Sequence, residues 1–132
     1  MYFEVLFLYF DPTQKMASKT EVDRFLLDFK AKLSLWGLLM RSDRGKNLKT
    51  LIALEFQVED VKKELRELSV LHFSEGPLSD ILYKSADMWV FGKMIQGKEV
   101  YIKVSMGQYG EKVLCISFHF SDYEMKYPYK DK

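Results

Sequence analysis

Residues 87–120, DMWVFGKMIQGKEVYIKVSMGQYGEKVLCISFHF, decide the fold. Val100, Ile102 and Val104 alternate with Tyr101, Lys103 and Ser105, the period of two expected of a strand with one buried face. Leu114, Ile116, Phe118 and Phe120 alternate with Cys115, Ser117 and His119 in the same way, and Trp89 and Phe91 extend the apolar set into a third strand. Gln96-Gly97 and the glycines at 107 and 110 supply the positive φ that hairpin loops require.

Register decides what the polar face contains. A first turn at Gln96-Gly97 aligns Phe91 with Ile102 and Trp89 with Val104. A three-residue second loop, Gln108-Tyr109-Gly110, opposes Val104 to Leu114, Ile102 to Ile116 and Val100 to Phe118. Lys103 then faces Cys115, Tyr101 faces Ser117, and His119 is diagonal to Tyr101. A two-residue loop would pair Lys103 with Leu114 and break both faces. The expected product is an apolar face and an opposite face bearing Tyr101, Lys103, Ser117 and His119.

Working outward, residues 18–36 form the clearest helix. Ser18 or Thr20 caps it, Glu21 and Asp23 occupy the first turn, and Gly37 ends it. Val22, Phe25, Leu26, Phe29, Leu33 and Trp36 fall on one face at helical spacing. Leu38–Met40 reads as a short apolar run leading into the charged loop 41–47, whose arginines suit phosphate oxygens. Residues 48–54 predict a short helix packed through Leu48, Leu51 and Ile52, and residues 58–68 a second with Val61, Leu65 and Leu68 inward. Residues 72–85 read as a loop, since Gly76-Pro77 interrupts regular structure.

At 132 residues, with 48% apolar and 15% aromatic side chains, the chain is one globular domain and not a disordered one. The net charge is only +1, low for a nucleic-acid binder, but it is unevenly spread. Residues 18–49 carry 8 basic against 4 acidic residues, and residues 55–80 carry 3 against 7. The single cysteine, Cys115, forms no internal disulfide and suits a reducing compartment. Cys115, His72 and His119 do not have metal-ligand spacing, and neither metal nor cofactor is expected. The N-terminal MYFEVLFLYF would span about 15 Å as a helix, half a bilayer core, so it is no membrane anchor. Residues 1–17 are instead an N-terminal extension ahead of Met16 or an edge strand, residues 18–132 are the domain, and the expected location is cytoplasmic.

WVFG, GKEVYIKVSMG, CISFH and the closing YEMKYP resemble the C-terminal half of the MqsR-like toxins of bacterial toxin–antitoxin pairs. DFKAKL, RSDRGKN and HFSEGPLSD resemble the version of that family found in Bacteroides-type bacteria. The likeness implies an α+β, RelE-like fold, with helices on one face of a small antiparallel sheet. It also implies a metal-independent endoribonuclease that cleaves messenger RNA, with a cognate antitoxin as partner and the part of the ribosome left open. The family's active-site tyrosine and the basic residue of its final strand fall on Tyr101 and His119. Together with Lys103 these are the candidate catalytic residues; Arg41, Arg44, Lys46, Lys84, Lys93 and Ser117 are the candidate RNA-binding ones. The chain departs from the family pattern at Val90, where a glutamine follows the tryptophan, and near Glu75, where a lysine aligns. The alternative expectation is a non-catalytic RelE-like module that binds RNA or a protein.

Overall fold

The computed structural model describes residues 16–41, 44–80 and 86–130. The expectations for residues 1–15 and for Lys84 lie outside the described residues. The order of elements is α1 (Lys19–Trp36), β1 (Leu38–Met40), α2 (Gly45–Leu54), α3 (Val58–Arg66), a 3₁₀ turn (Val70–His72), β2 (Phe73–Leu78), β3 (Met88–Ile95), β4 (Lys98–Ser105) and β5 (Val113–Phe120). The strands form one open sheet in the order β1-β5-β4-β3-β2. The class is α+β, as expected. The sheet is mixed and not purely antiparallel, because β1 runs parallel to β5.

Helix α1 is held by local chemistry at both ends. Ser18 accepts a hydrogen bond from Glu21 N at 3.2 Å, and the Glu21 carboxylate returns one from Ser18 N at 2.9 Å. Gly37, at φ +89°, closes the far end with its amide on the Leu33 carbonyl. The stripe from Val22 to Leu33 is buried, and Phe25 stacks on Trp89 with ring centroids 4.4 Å apart. Trp36, expected on that stripe, is 52% exposed because it lies at the last turn, beyond the edge of the sheet.

The β3–β4 hairpin has the expected register, Phe91 opposite Ile102 and Trp89 opposite Val104, with Gln96 and Gly97 both at positive φ. The β4–β5 register differs. Ser105 opposes Leu114 and Val104 opposes Cys115, a slip of one residue. A bulge at Ile116 adds a second, so Lys103 opposes Ser117, Tyr101 opposes His119 and Ile102 opposes Phe118. The longer connection is anchored: Lys32 Nζ donates to the Met106 and Gln108 carbonyls, and Ser105 Oγ accepts from Gly107 N at 3.2 Å. One slip turns Cys115 into the core, where it is wholly buried; the bulge then restores the parity that points Ser117 and His119 outward.

Two strands were expected to be irregular. β1 pairs with only three residues of β5, and β2 pairs with β3 through two register shifts around Gly76-Pro77. Ala17, ahead of the expected domain start, is buried and bonds through its amide to the Gly76 carbonyl at 3.1 Å.

Helix α2 corrects a further expectation. Leu48 and Ile52 are 48% and 67% exposed; the inward residues are Asn47, Thr50 and Leu54. The helix lies along the outer edge of β5 beyond the reach of β1. There Asn47 Nδ2 donates to the Ile116 carbonyl at 3.0 Å and to the Arg41 carbonyl at 2.8 Å. Asn47 Oδ1 accepts from Phe118 N at 2.9 Å, and Thr50 Oγ1 accepts from Phe120 N at 3.1 Å. Two side chains thus complete a strand edge that would otherwise hold buried, unpaired amides. Replacing Asn47 with Ala leaves several buried backbone groups unpaired, and should cost about 3 kcal/mol in urea unfolding. Thr50→Val removes one acceptor at nearly constant shape and should cost about 1 kcal/mol.

Candidate functional site

The outward face of the sheet is organised in rows across the strands. One row runs Glu75, Val90, Lys103 and Ser117; the next runs Gly92, Tyr101 and His119. Tyr101 and His119, expected on a diagonal, are direct cross-strand partners. Their rings stack with centroids 5.2 Å apart and planes 13° from parallel. Lys103 Nζ lies 5.9 Å from the centroid of the Tyr101 ring. The three candidate catalytic side chains are therefore together.

Hydrogen bonding settles the form of the imidazole. His119 Nδ1 lies 3.0 Å from the Phe120 carbonyl, which can only accept, so Nδ1 carries the proton. In the neutral ring the lone pair is then on Nε2, available to take a proton from a ligand. The Tyr101 phenol has the opposite disposition. Burial pushes it up to about 12, with Tyr123 and Glu75 adding to the shift, so it stays a donor far above neutral pH.

The C-terminal segment bounds this face. Tyr127 donates to Glu99 Oε2 at 2.7 Å, Met125 N donates to Glu99 Oε1 at 3.0 Å, and Ser74 Oγ donates to the Lys126 carbonyl at 2.8 Å. The segment passes over Gly92, where a Cβ would come within 2.6 Å of Met125 Sδ and 2.5 Å of the Tyr127 hydroxyl. Glycine is required here to let the tail cross the sheet. The tail covers one side of the Tyr101–His119 row and leaves the other open.

On the open side lies a cavity of about 340 Å³ lined by Arg44, Gly45, Lys46, Asn47, Ser117 and His119. Arg44, Lys46 and Ser117, three of the residues proposed from the sequence, are thus brought beside His119. Lys46 pairs with Asp122, and this bonded ammonium holds the Asp122 carboxyl below the usual carboxylate range. Arg41 follows β1 and is tied by its main chain to Cys115 and Asn47. Lys93 is on the opposite face, paired with Glu64 at 2.7 Å and Glu67 at 3.4 Å, its side chain 12% exposed. The alternation of β3 puts it there, opposite in parity to Val90, so it is no part of this site.

A larger cavity of about 470 Å³ lies between Trp36, Leu39, Leu114 and the β4–β5 loop, and no imidazole or phenol lines it. His72 is a structural cap: its Nδ1 accepts from Ser69 N at 3.0 Å. Among the described residues no three His, Cys, Asp or Glu side chains are grouped to hold a metal, and no helix is long and apolar enough to cross a membrane. Sequence reasoning missed Glu75, Asp122 and Tyr123 as neighbours of the row. Asp122 and Tyr123 follow the last strand directly and could have been found; Glu75 was hidden by reading β2 as a loop.

The chain matches no protein-family model, no curated protein and no solved structure.

The raised Tyr101 phenol has a measurable consequence. Its contribution to stability is fully present below pH 10, the ordinary phenol value, and is lost as pH rises toward 12. Phenolate absorbance should show Tyr101 among the last tyrosines to ionise. Tyr127, raised by burial and by its bond to Glu99, also ionises late, so Tyr101→Phe should remove one late-ionising phenol and reduce the loss of stability between pH 10 and 12.

Proposed function

We propose that the outward face of β4 and β5 binds single-stranded RNA and cuts it by attack of a ribose 2′-hydroxyl on the adjacent phosphate. The observation that carries this reading is the His119–Tyr101 stack with Lys103 beside it. The reaction needs a base for the 2′-hydroxyl, a proton for the leaving 5′-oxygen, and positive charge on the phosphorane. His119 Nε2 takes the 2′ proton as the new phosphorus–oxygen bond forms. Lys103 neutralises the phosphorane. Tyr101, protonated throughout the physiological range, donates to a phosphate oxygen and supplies the proton that the leaving 5′-oxygen takes up. No step in this scheme calls on a metal or cofactor.

The likeness of WVFG, GKEVYIKVSMG and CISFH to MqsR-like toxins supports the same reading. With it come messenger RNA as the substrate, the ribosome as a possible context for cutting, a cognate antitoxin as partner, and the role of toxin in a type II toxin–antitoxin pair. A second reading, a non-catalytic module that binds RNA or protein, is favoured by one specific observation. Glu75 and Val90, the two departures from the family pattern, share a row with Lys103 and Ser117 and make that side of the face less basic.

Expression without an antitoxin should arrest bacterial growth and fragment messenger RNA. His119→Gln and Tyr101→Phe should each lower the cleavage rate about 10²–10⁴-fold, with near-UV circular dichroism unchanged. Lys103→Ala should weaken RNA binding as well as rate. Full toxicity of both His119→Gln and Tyr101→Phe at equal protein levels would remove the catalytic assignment. Tight RNA binding without cleavage, even with ribosomes present, would establish the binding module instead.

A further inference from the structure

The cavity beside His119 has its own chemistry. Helix α2 begins at its wall, and Arg44, the N-cap, provides no side-chain hydrogen bond to the first turn. Leu48 N is the first α2 amide bonded back along the chain, to the Arg44 carbonyl at 3.0 Å. The amides of Gly45, Lys46 and Asn47 therefore have no acceptor among the described residues. Aligned peptide dipoles make that end of the helix positive, and the Arg44 and Lys46 side chains add full charges. A Cβ built at Gly45 would have nothing within 4 Å, so the approach to these amides is open.

Ser117 is the independent observation. It is 4% exposed, it lines the same cavity, and its hydroxyl bonds to no described residue. No buried side-chain oxygen among the described residues lacks a partner, so the Ser117 hydroxyl opens to the cavity, where a ligand or solvent bonds it. Asp122 is the third feature. Its carboxylate pairs with Lys46, a lining residue of the cavity, in an exposed contact for which an entering phosphate would compete.

We propose that this cavity is a phosphate subsite, bordering the reacting position through His119, that holds a second, non-reacting backbone phosphate of a nucleic-acid strand. The phosphate accepts from the first-turn amides of α2 and from the Ser117 hydroxyl, and it displaces Asp122 from Lys46. Because Ser117 opposes Lys103 and His119 opposes Tyr101, a strand bound here passes directly onto the reacting row. The assignment rests on the nucleic-acid reading above, but not on cleavage.

The test uses the full chain, ¹⁵N-labelled, titrated with inorganic phosphate and with a 2′-O-methyl oligonucleotide, which lacks the attacking hydroxyl. Both should move the Gly45, Lys46 and Asn47 amides. Ser117→Ala, which removes only an unbonded hydroxyl and should leave the fold intact, should weaken phosphate binding about 10-fold. Asp122→Asn should strengthen it several-fold. Lys46→Ala should lower the salt dependence of oligonucleotide binding by about one phosphate contact. The subsite is overturned if saturating phosphate leaves the three amides unmoved, or if the oligonucleotide binds without moving them. Should the oligonucleotide move them while unmodified RNA is never cut, the subsite stands and the nuclease reading falls.

Discussion

The outer edge of β5 places the heaviest constraint on this structure. A strand in the middle of a sheet has both rows of backbone groups paired; among the described residues, β5 has a partner strand on that side only along Val113–Cys115, against β1. Beyond Cys115 the exposed row is finished by side chains of a helix, Asn47 and Thr50, reaching the Ile116 carbonyl and the Phe118 and Phe120 amides. An asparagine carries both a donor and an acceptor, so one residue can replace a peptide unit of the missing strand. That requirement explains a polar pair, 0% and 3% exposed, in the face of a helix whose Leu48 and Ile52 face solvent. It also fixes where α2 must sit, and so places the first turn of α2 against Ser117 and His119.

Charge follows the same partition. A net charge of +1 argues against nucleic acid only if the charges are mixed evenly, and they are not. Lys93 is consumed on the helix side by Glu64 and Glu67, while Arg44, Lys46 and Lys103 remain on the site side. The tail supplies the opposing charges, Asp122 at the rim and Glu99 holding Met125 and Tyr127. The face is therefore locally basic around His119 and neutral to acidic toward β2, where Glu75 lies.

Legibility in the sequence tracked how local each determinant is. The β3–β4 hairpin was readable because Gln96-Gly97 and strict alternation agree, and α1 because a capping residue, an apolar stripe and a terminal glycine agree. β1 was not readable: three residues carry no period, and the strand exists only because β5 is there to pair with it. β2 was hidden by Gly76-Pro77, which an edge strand tolerates and a local reading takes as a break. Tyr101, Lys103, Ser117 and His119 were placed on the right face by alternation alone. Their pairing was not, because loop length and bulge are settled by contacts from Lys32 and β1 far away in the chain.

The bulge at Ile116 ties these strands of argument together. It falls where the edge partner of β5 changes: the Cys115 carbonyl accepts from Arg41 N beside β1, and the Ile116 carbonyl accepts from Asn47 on α2. A regular strand would have kept Cys115, Ser117 and His119 on one face. The slip set by the longer β4–β5 loop sends Cys115 inward, where burial pushes its thiol up to about 12 and leaves it unreactive. The bulge then returns Ser117 and His119 to the outer face, and slip and bulge together bring His119 from a diagonal to a direct partner of Tyr101. The handover from strand to helix at the sheet edge is thus what sets the geometry of the Tyr101–His119 stack, 5.2 Å between rings.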